Sequence, residues 1–326
     1  MQQYRDTNYA AVSAALHARE AHLLTQALSE RMLEAPTAEE SCKILIECGY
    51  PPLEHCTLEE VETLLALSRA ELYREVAVLA PDKRIVELFQ LKYDYHNAKL
   101  ALKAKLTGED VSRLVIGCGR YDASALLRGE RGMLSSRMGR AMAQAEKEAE
   151  GGDIRRAELT LDRACFEEMS ELAGATGNDF LIGYVALQID AIGLRTLVRA
   201  QRMGASDELL SAALLPGGHI PAEQLKTARG DRLAELTRGS ALSAAGELAA
   251  ATLGGSGSLT AFERACDDAL VRYLQRARRT PFGPEVIVGY LSAKEAEFTA
   301  VRTILSGKLA GLDAEDIRAR LRLSYL

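Results

Sequence analysis

A chain of 326 residues exceeds the usual single-domain length, so two or three compact units of ~100–150 residues are expected. With 48% apolar and 26% charged residues, the composition is that of a globular protein and excludes a disordered or fibrous chain. A formal net charge of −6 lacks the basic excess that drives non-specific nucleic-acid binding, so no nucleic-acid partner is expected.

Aromatic residues make up only 5% and Trp is absent, which leaves packing to Leu, Ala and Val and favours helices. The charge is uneven. Residues 271–326 carry ten Lys or Arg against six Asp or Glu, and Arg272, Arg276, Arg278 and Arg279 cluster there, as on a solvated helix face. The six cysteines (Cys42, Cys48, Cys56, Cys118, Cys165 and Cys266) show no compact pairing pattern and are expected to be reduced cytosolic thiols. The N-terminal text MQQYRDTNYA has no apolar run of signal-peptide type, and no segment is expected to supply the ~20 apolar residues of a membrane span.

Taken in chain order, the elements are helical. Thr37-Ala-Glu-Glu40 and Thr57-Leu-Glu-Glu60 are Thr-x-x-Glu capping boxes, and Val61, Leu64, Leu65, Leu72 and Val76 then mark one helix face. All eight prolines fall at expected breaks, and residues 82–215 contain none, as long helices require. Leu114-Val115-Ile116 is too short and isolated to build a sheet. The segment Leu181–Gln201 carries two apolar stripes, Val185/Ile189/Ile192 and Leu187/Ala191/Leu194/Val198, so it is expected to be central to its unit.

Internal repetition sets the expected architecture. Asp94-Tyr-His-Asn-Ala-Lys99, Asp190-Ala-Ile-Gly-Leu-Arg195 and Glu297-Phe-Thr-Ala-Val-Arg302 each place a base five positions after an acid. Leu102, Val198 and Leu305 then follow at one offset. Asp162-Arg-Ala-Cys165 is echoed by Glu263-Arg-Ala-Cys266, and Ile182-Gly-Tyr184 by Val288-Gly-Tyr290. Three similar helical units are therefore expected at 1–128, 129–235 and 236–326, as a pseudo-threefold arrangement or a short solenoid.

Motifs for chemistry are lacking. Ser306-Gly307-Lys308 has neither the preceding glycine nor the following hydroxyl of a phosphate loop and reads as a helix-end turn. Gly254-Gly-Ser-Gly-Ser258 has no adjacent base and reads as a flexible connection. Cys42, Cys48, His55 and Cys56 lack zinc-knuckle spacing, and Asp94 and His96 diverge on a helix. No catalytic residue, cofactor or metal is expected.

The C-terminal text Pro281-Phe-Gly-Pro-Glu-Val-Ile-Val-Gly-Tyr290-Leu-Ser-Ala-Lys294-Glu295, with Arg302-Thr-Ile-Leu-Ser-Gly-Lys308-Leu-Ala-Gly311, resembles the C-subunit family of archaeal and bacterial A/V-type ATPases (ATP synthases), whose vacuolar counterpart is the d subunit. Lys92-Tyr-Asp94-Tyr-His-Asn-Ala-Lys99 and Asp190…Leu194-Arg195-Thr-Leu-Val-Arg199-Ala200 extend the resemblance over the whole chain, while Ser240–Ser258 departs from it. The resemblance implies an all-α, funnel-shaped, three-domain protein that is a non-catalytic part of the rotor. It would sit at the cytoplasmic face of the membrane, bind central-shaft subunits and the membrane proteolipid ring without inserting into lipid, and transmit torque for ion transport or ATP synthesis. A helical-repeat adaptor unrelated to ion transport and an all-α enzyme are the other classes considered.

Lys99, Arg195, Arg302 and Lys308, with Asp94, Asp190, Glu295 and Glu297, are the candidate positions. They either anchor helices by ion pairing, for instance Glu295 with Arg302, or line a cavity and meet acidic or carbonyl-bearing surfaces of the shaft or ring.

Overall fold

A computed structural model describes residues 4–325. Helices cover 74% of them, and no strand occurs among the described residues. Leu114 ends a short 3-10 turn, Ser112–Leu114, instead of opening a strand. The seven helices of 15 or more residues are α1 (Leu58–Leu79), α2 (Lys83–Thr107), α3 (Ser136–Glu150), α4 (Ile154–Thr176), α5 (Asp179–Met203), α6 (Leu259–Leu274) and α7 (Pro284–Leu309).

Their ends follow from side chains that satisfy backbone groups left free in the first and last turns. Thr57 Oγ1 accepts the Glu60 N–H at 3.2 Å to open α1, and Thr37 does the same for Glu40 in the helix Ala38–Ile44. The α1 box is modified, because the Glu60 carboxylate reaches past Thr57 to the His55 N–H at 2.9 Å. Asn178 caps α5, Pro284 occupies the first turn of α7, and Gly177 and Gly204 close α4 and α5 in the left-handed conformation. No proline lies inside a helix beyond its first turn among the described residues.

Packing divides the chain into two compact units, Arg84–Leu270, and the described parts of Gln2–Lys83 with Val271–Leu326. In the first, α3 and α4 form a hairpin, and α5 is buried along both predicted stripes, with only Ile192 half-buried. By length and composition α5 would suffice to cross a membrane, which corrects the expectation that no segment does. Its most apolar 18-residue window has a mean hydropathy of 1.5 and is 61% buried inside the protein, as in a core helix. In the second unit α7 is the central element, with Val286, Ile287, Val288, Leu291, Val301, Ile304 and Leu305 all buried.

Two of the six cysteines depart from the expected reduced thiols. Cys42 and Cys56 are joined in a disulfide across 14 residues, with Cα atoms 6.6 Å apart, so these two are not free thiols. Cys48, Cys118, Cys165 and Cys266 are free and buried. Burial pushes the Cys165 and Cys266 thiols up to about 12, and such thiols are poor nucleophiles.

Candidate functional site

The three repeated acids occupy matching places on the three longest helices. Asp94 is the twelfth residue of α2, Asp190 the twelfth of α5 and Glu297 the fourteenth of α7, and all three are buried. A buried carboxylate is tolerated only where donors replace its lost water.

Each acid is satisfied in a similar way. Asp94 Oδ1 accepts the backbone N–H groups of Arg120 at 2.8 Å and Tyr121 at 3.2 Å, and its Oδ2 accepts Arg120 Nε at 2.7 Å. Asp190 accepts the N–H groups of His219 at 3.1 Å and Ile220 at 2.9 Å, with His219 Nδ1 3.0 Å away. Glu297 accepts the Leu24 N–H at 2.7 Å and the Tyr50 hydroxyl at 2.5 Å, and pairs with Lys294 on its own helix. Each carboxylate thus fastens an irregular segment onto a long helix.

A glycine precedes the clamped pair of amides in two of the three cases, because the backbone passes directly over the carboxylate. A Cβ at Gly119 would lie 2.3 Å from Asp94 Oδ1, and one at Gly218 would lie 2.1 Å from Asp190 Oδ1, both inside any real contact distance.

Around Asp94 the polar cluster continues. Arg120 Nη2 lies 3.1 Å from Glu168 Oε1, and the Tyr95 hydroxyl donates to Glu168 Oε2 at 2.8 Å. Burial pushes the Asp94 carboxyl above the ordinary aspartate range, while Arg120 and the two amides act in the opposite direction. Nearby, Asn97 exchanges two hydrogen bonds with the backbone of Ile116.

The repeated bases do not pair with the acids five positions before them, since five residues place the two side chains about 140° apart on a helix. They reach other helices. Lys99 of α2 pairs with Asp162 of α4, Arg195 of α5 with Asp267 of α6, and Arg302 of α7 with Glu62 of α1 at 2.5 Å. Arg199 adds a second bond from α5 to α6 through Glu263. The expected Glu295–Arg302 pair is corrected: Glu295 lies 3.4 Å from Arg69 and accepts the Tyr73 hydroxyl at 2.8 Å, both residues of α1. Lys308 Nζ donates to the Ala35 carbonyl, which caps the helix Gln26–Glu34, at 2.5 Å.

Exposure separates these pairs energetically. The side chains of Arg302 and Glu62 are 63% and 40% exposed, so their pair contributes at most ~1 kcal/mol. Lys99 and Arg195 are 30% and 20% exposed and more strongly held. Arg302→Glu is accordingly expected to shift the unfolding free energy by under ~1 kcal/mol, measured by urea denaturation. A larger loss would mean that Arg302 is a structural anchor.

Sequence reasoning misses Arg120, Glu168, Gly119 and Gly218. The one signal that marks the two loops is a glycine 25 residues after Asp94 and another 28 residues after Asp190, and none marks Glu168. Among the described residues no group of three or more His, Cys, Asp or Glu is placed to hold a metal ion. His96 Nε2 lies 3.1 Å from the Leu114 carbonyl, away from the cluster around Asp94.

A buried acid midway along each of the three longest helices thus fastens an irregular segment to it, within an all-helical protein. The chain belongs to the ATP synthase (C/AC39) subunit family, whose model matches residues 12–320. It is 23% identical to the C subunit of the V-type sodium ATPase of Enterococcus hirae over 324 residues, covering 97% of this chain and 99% of that protein. It is 26% identical to the C subunit of the V-type ATP synthase of Thermus thermophilus over 320 residues, covering 93% and 94%. Against the C subunit of the A-type ATP synthase of Methanocaldococcus jannaschii it is 26% identical over 344 aligned positions, covering 96% and 86%.

Proposed function

We propose that this chain is a non-catalytic central-stalk subunit of a V/A-type rotary ATPase, which links the shaft to the membrane proteolipid ring and transmits torque. The observation that carries this reading is the family match over residues 12–320, together with relatives named as C subunits of such complexes that align over nearly their full length.

The physics of the fastenings supports it. Torque passes through a part only if its elements do not slide past one another under load. Each of the three longest helices spans ~38 Å and is held at two kinds of point, by a buried acid on a loop and by a base on another helix. Such over-determined helices suit a coupling piece. Three similar units at 1–128, 129–235 and 236–326, set around a shared opening as a funnel, remain part of the proposal. The recurrence of acid and base on α2, α5 and α7 supports it.

Assembly with the shaft and ring would draw on groups that the fold leaves partly accessible. Arg302 uses only Nε toward Glu62, so other guanidinium N–H groups are available to an acidic or carbonyl-bearing surface. The proposed location is the cytoplasmic face of the membrane, held there through the complex. Co-purification of the tagged chain with a shaft subunit and a membrane ring tests the reading.

A further inference from the structure

We propose that the arginine-rich surface formed by residues 272–282 and 318–322 adsorbs to the phosphate headgroups of an anionic phospholipid bilayer. This rests on charge distribution and exposure, and so stands or falls separately from the shaft-and-ring reading.

On a chain of net charge −6, residues 269–284 hold four arginines and no acid, and residues 317–325 hold three arginines and no acid. The fold sets these two stretches side by side. Gln275 Nε2 donates to the Ser324 carbonyl at 3.0 Å, and Arg278 Nη1 lies 3.5 Å from the Tyr325 carbonyl. Arg272, Arg276 and Arg279 recur at helical spacing where α6 passes into the 3-10 turn Gln275–Arg279, and all three are exposed. Arg276 also lies over the Tyr273 ring. Arg320 is exposed too, while Arg318 is neutralised by Glu30 and Glu315.

Arg272 and Arg279 make no side-chain hydrogen bond or ion pair among the described residues, so the fold does not explain their charge. Acids close by are engaged elsewhere: one turn before Arg272 on α6, Asp267 pairs with Arg195 and Asp268 lies 3.9 Å from Arg264, while Glu20 pairs with His17 at 2.9 Å. Guanidinium groups favour phosphate oxygens through paired N–H donors, and several spread over two segments match an array of phosphates better than a single anion.

Phe282 favours a bilayer over an acidic polypeptide. It is 41% exposed at the edge of the arginine surface, in the turn Pro281–Gly283 that leads into α7. A Phe ring beside basic residues favours the boundary between headgroups and acyl chains, where the ring meets apolar carbon and the arginines meet phosphate.

The test is sedimentation of the full chain with phosphatidylcholine vesicles, with and without phosphatidylglycerol. Binding is expected only to the anionic vesicles, and it should weaken steeply between about 0.1 and 0.5 M salt as screening shortens. Arg272→Glu/Arg279→Glu should weaken it by at least about 25-fold, since each arginine near the surface contributes about fivefold. Arg113→Glu/Lys147→Glu changes net charge equally at exposed positions elsewhere and should weaken it far less. Phe282→Ser should cost a few-fold.

Circular dichroism melting keeps the comparison to folded variants. No binding to anionic vesicles overturns the proposal, as does an equal loss in the two double variants. Release by millimolar inorganic phosphate at constant ionic strength would identify a discrete phosphate site and overturn the assignment to a bilayer. Capture by polyglutamate without vesicle binding would point to an acidic polypeptide and overturn it equally.

Discussion

Asp94→Ala is expected to destabilise the protein by about 3–5 kcal/mol, the cost of removing one partner from a buried charged pair. The deleted carboxylate accepts three hydrogen bonds, two from backbone amides and one from Arg120. Its loss leaves the Arg120 guanidinium, mostly buried beside Glu168, without its nearest counter-charge. The amides of Arg120 and Tyr121 then lack an acceptor. Thermal unfolding should show a drop of roughly 10 °C for a unit of this size. Asp94→Asn keeps an acceptor for the amides but not the charge, and should fall between the alanine variant and the wild type. A loss below ~1 kcal/mol for the alanine variant would mean that this loop is not held by the carboxylate.

Gly218→Val should destabilise comparably, by about 3 kcal/mol, through steric conflict. The new Cβ would lie 2.1 Å from Asp190 Oδ1 and 3.2 Å from Ile189 Cγ2, both on α5. The carboxylate cannot retreat, because the amides of His219 and Ile220 hold it, and the helix behind it is the core of its unit. Gly117→Ala is the matched control. A Cβ there meets nothing within 4 Å, so the change should cost under ~0.5 kcal/mol. Equal melting temperatures for Gly218→Val and wild type would refute the close approach of loop and acid.

The helical plan was legible in the sequence because its signals are local. Proline positions, Thr-x-x-Glu starts and the double stripe of Leu181–Gln201 each report on a few neighbouring residues, and the fold agrees with them. The likeness of the text around Asp94, Asp190 and Glu297 was legible, and the three acids lie midway along the three longest helices.

Their partners were not legible, for two physical reasons. Backbone N–H groups at Arg120, Tyr121, His219 and Ile220 carry no residue-specific mark, so an acid that binds them leaves only the glycine beside them as a trace. The ion pairs also join distant positions. Arg302 meets Glu62 across 240 residues, and Glu297 is satisfied by Leu24 and Tyr50 near the other end of the chain. Spacing along a helix suggested Glu295 for Arg302, but Arg69 and Tyr73 of α1 take Glu295 instead. The Cys42–Cys56 bond likewise depends on the turn between the helix Ala38–Ile44 and α1.

What the chain assembles with tests the coupling role most directly. Membranes of the source organism, solubilised in mild detergent and passed over affinity resin carrying the tagged full-length chain, should yield it together with a coiled-coil shaft subunit and a membrane-embedded ring, identified by mass spectrometry. Recovery of the chain alone, or with soluble proteins that belong to no rotary ATPase, would contradict the proposed coupling role.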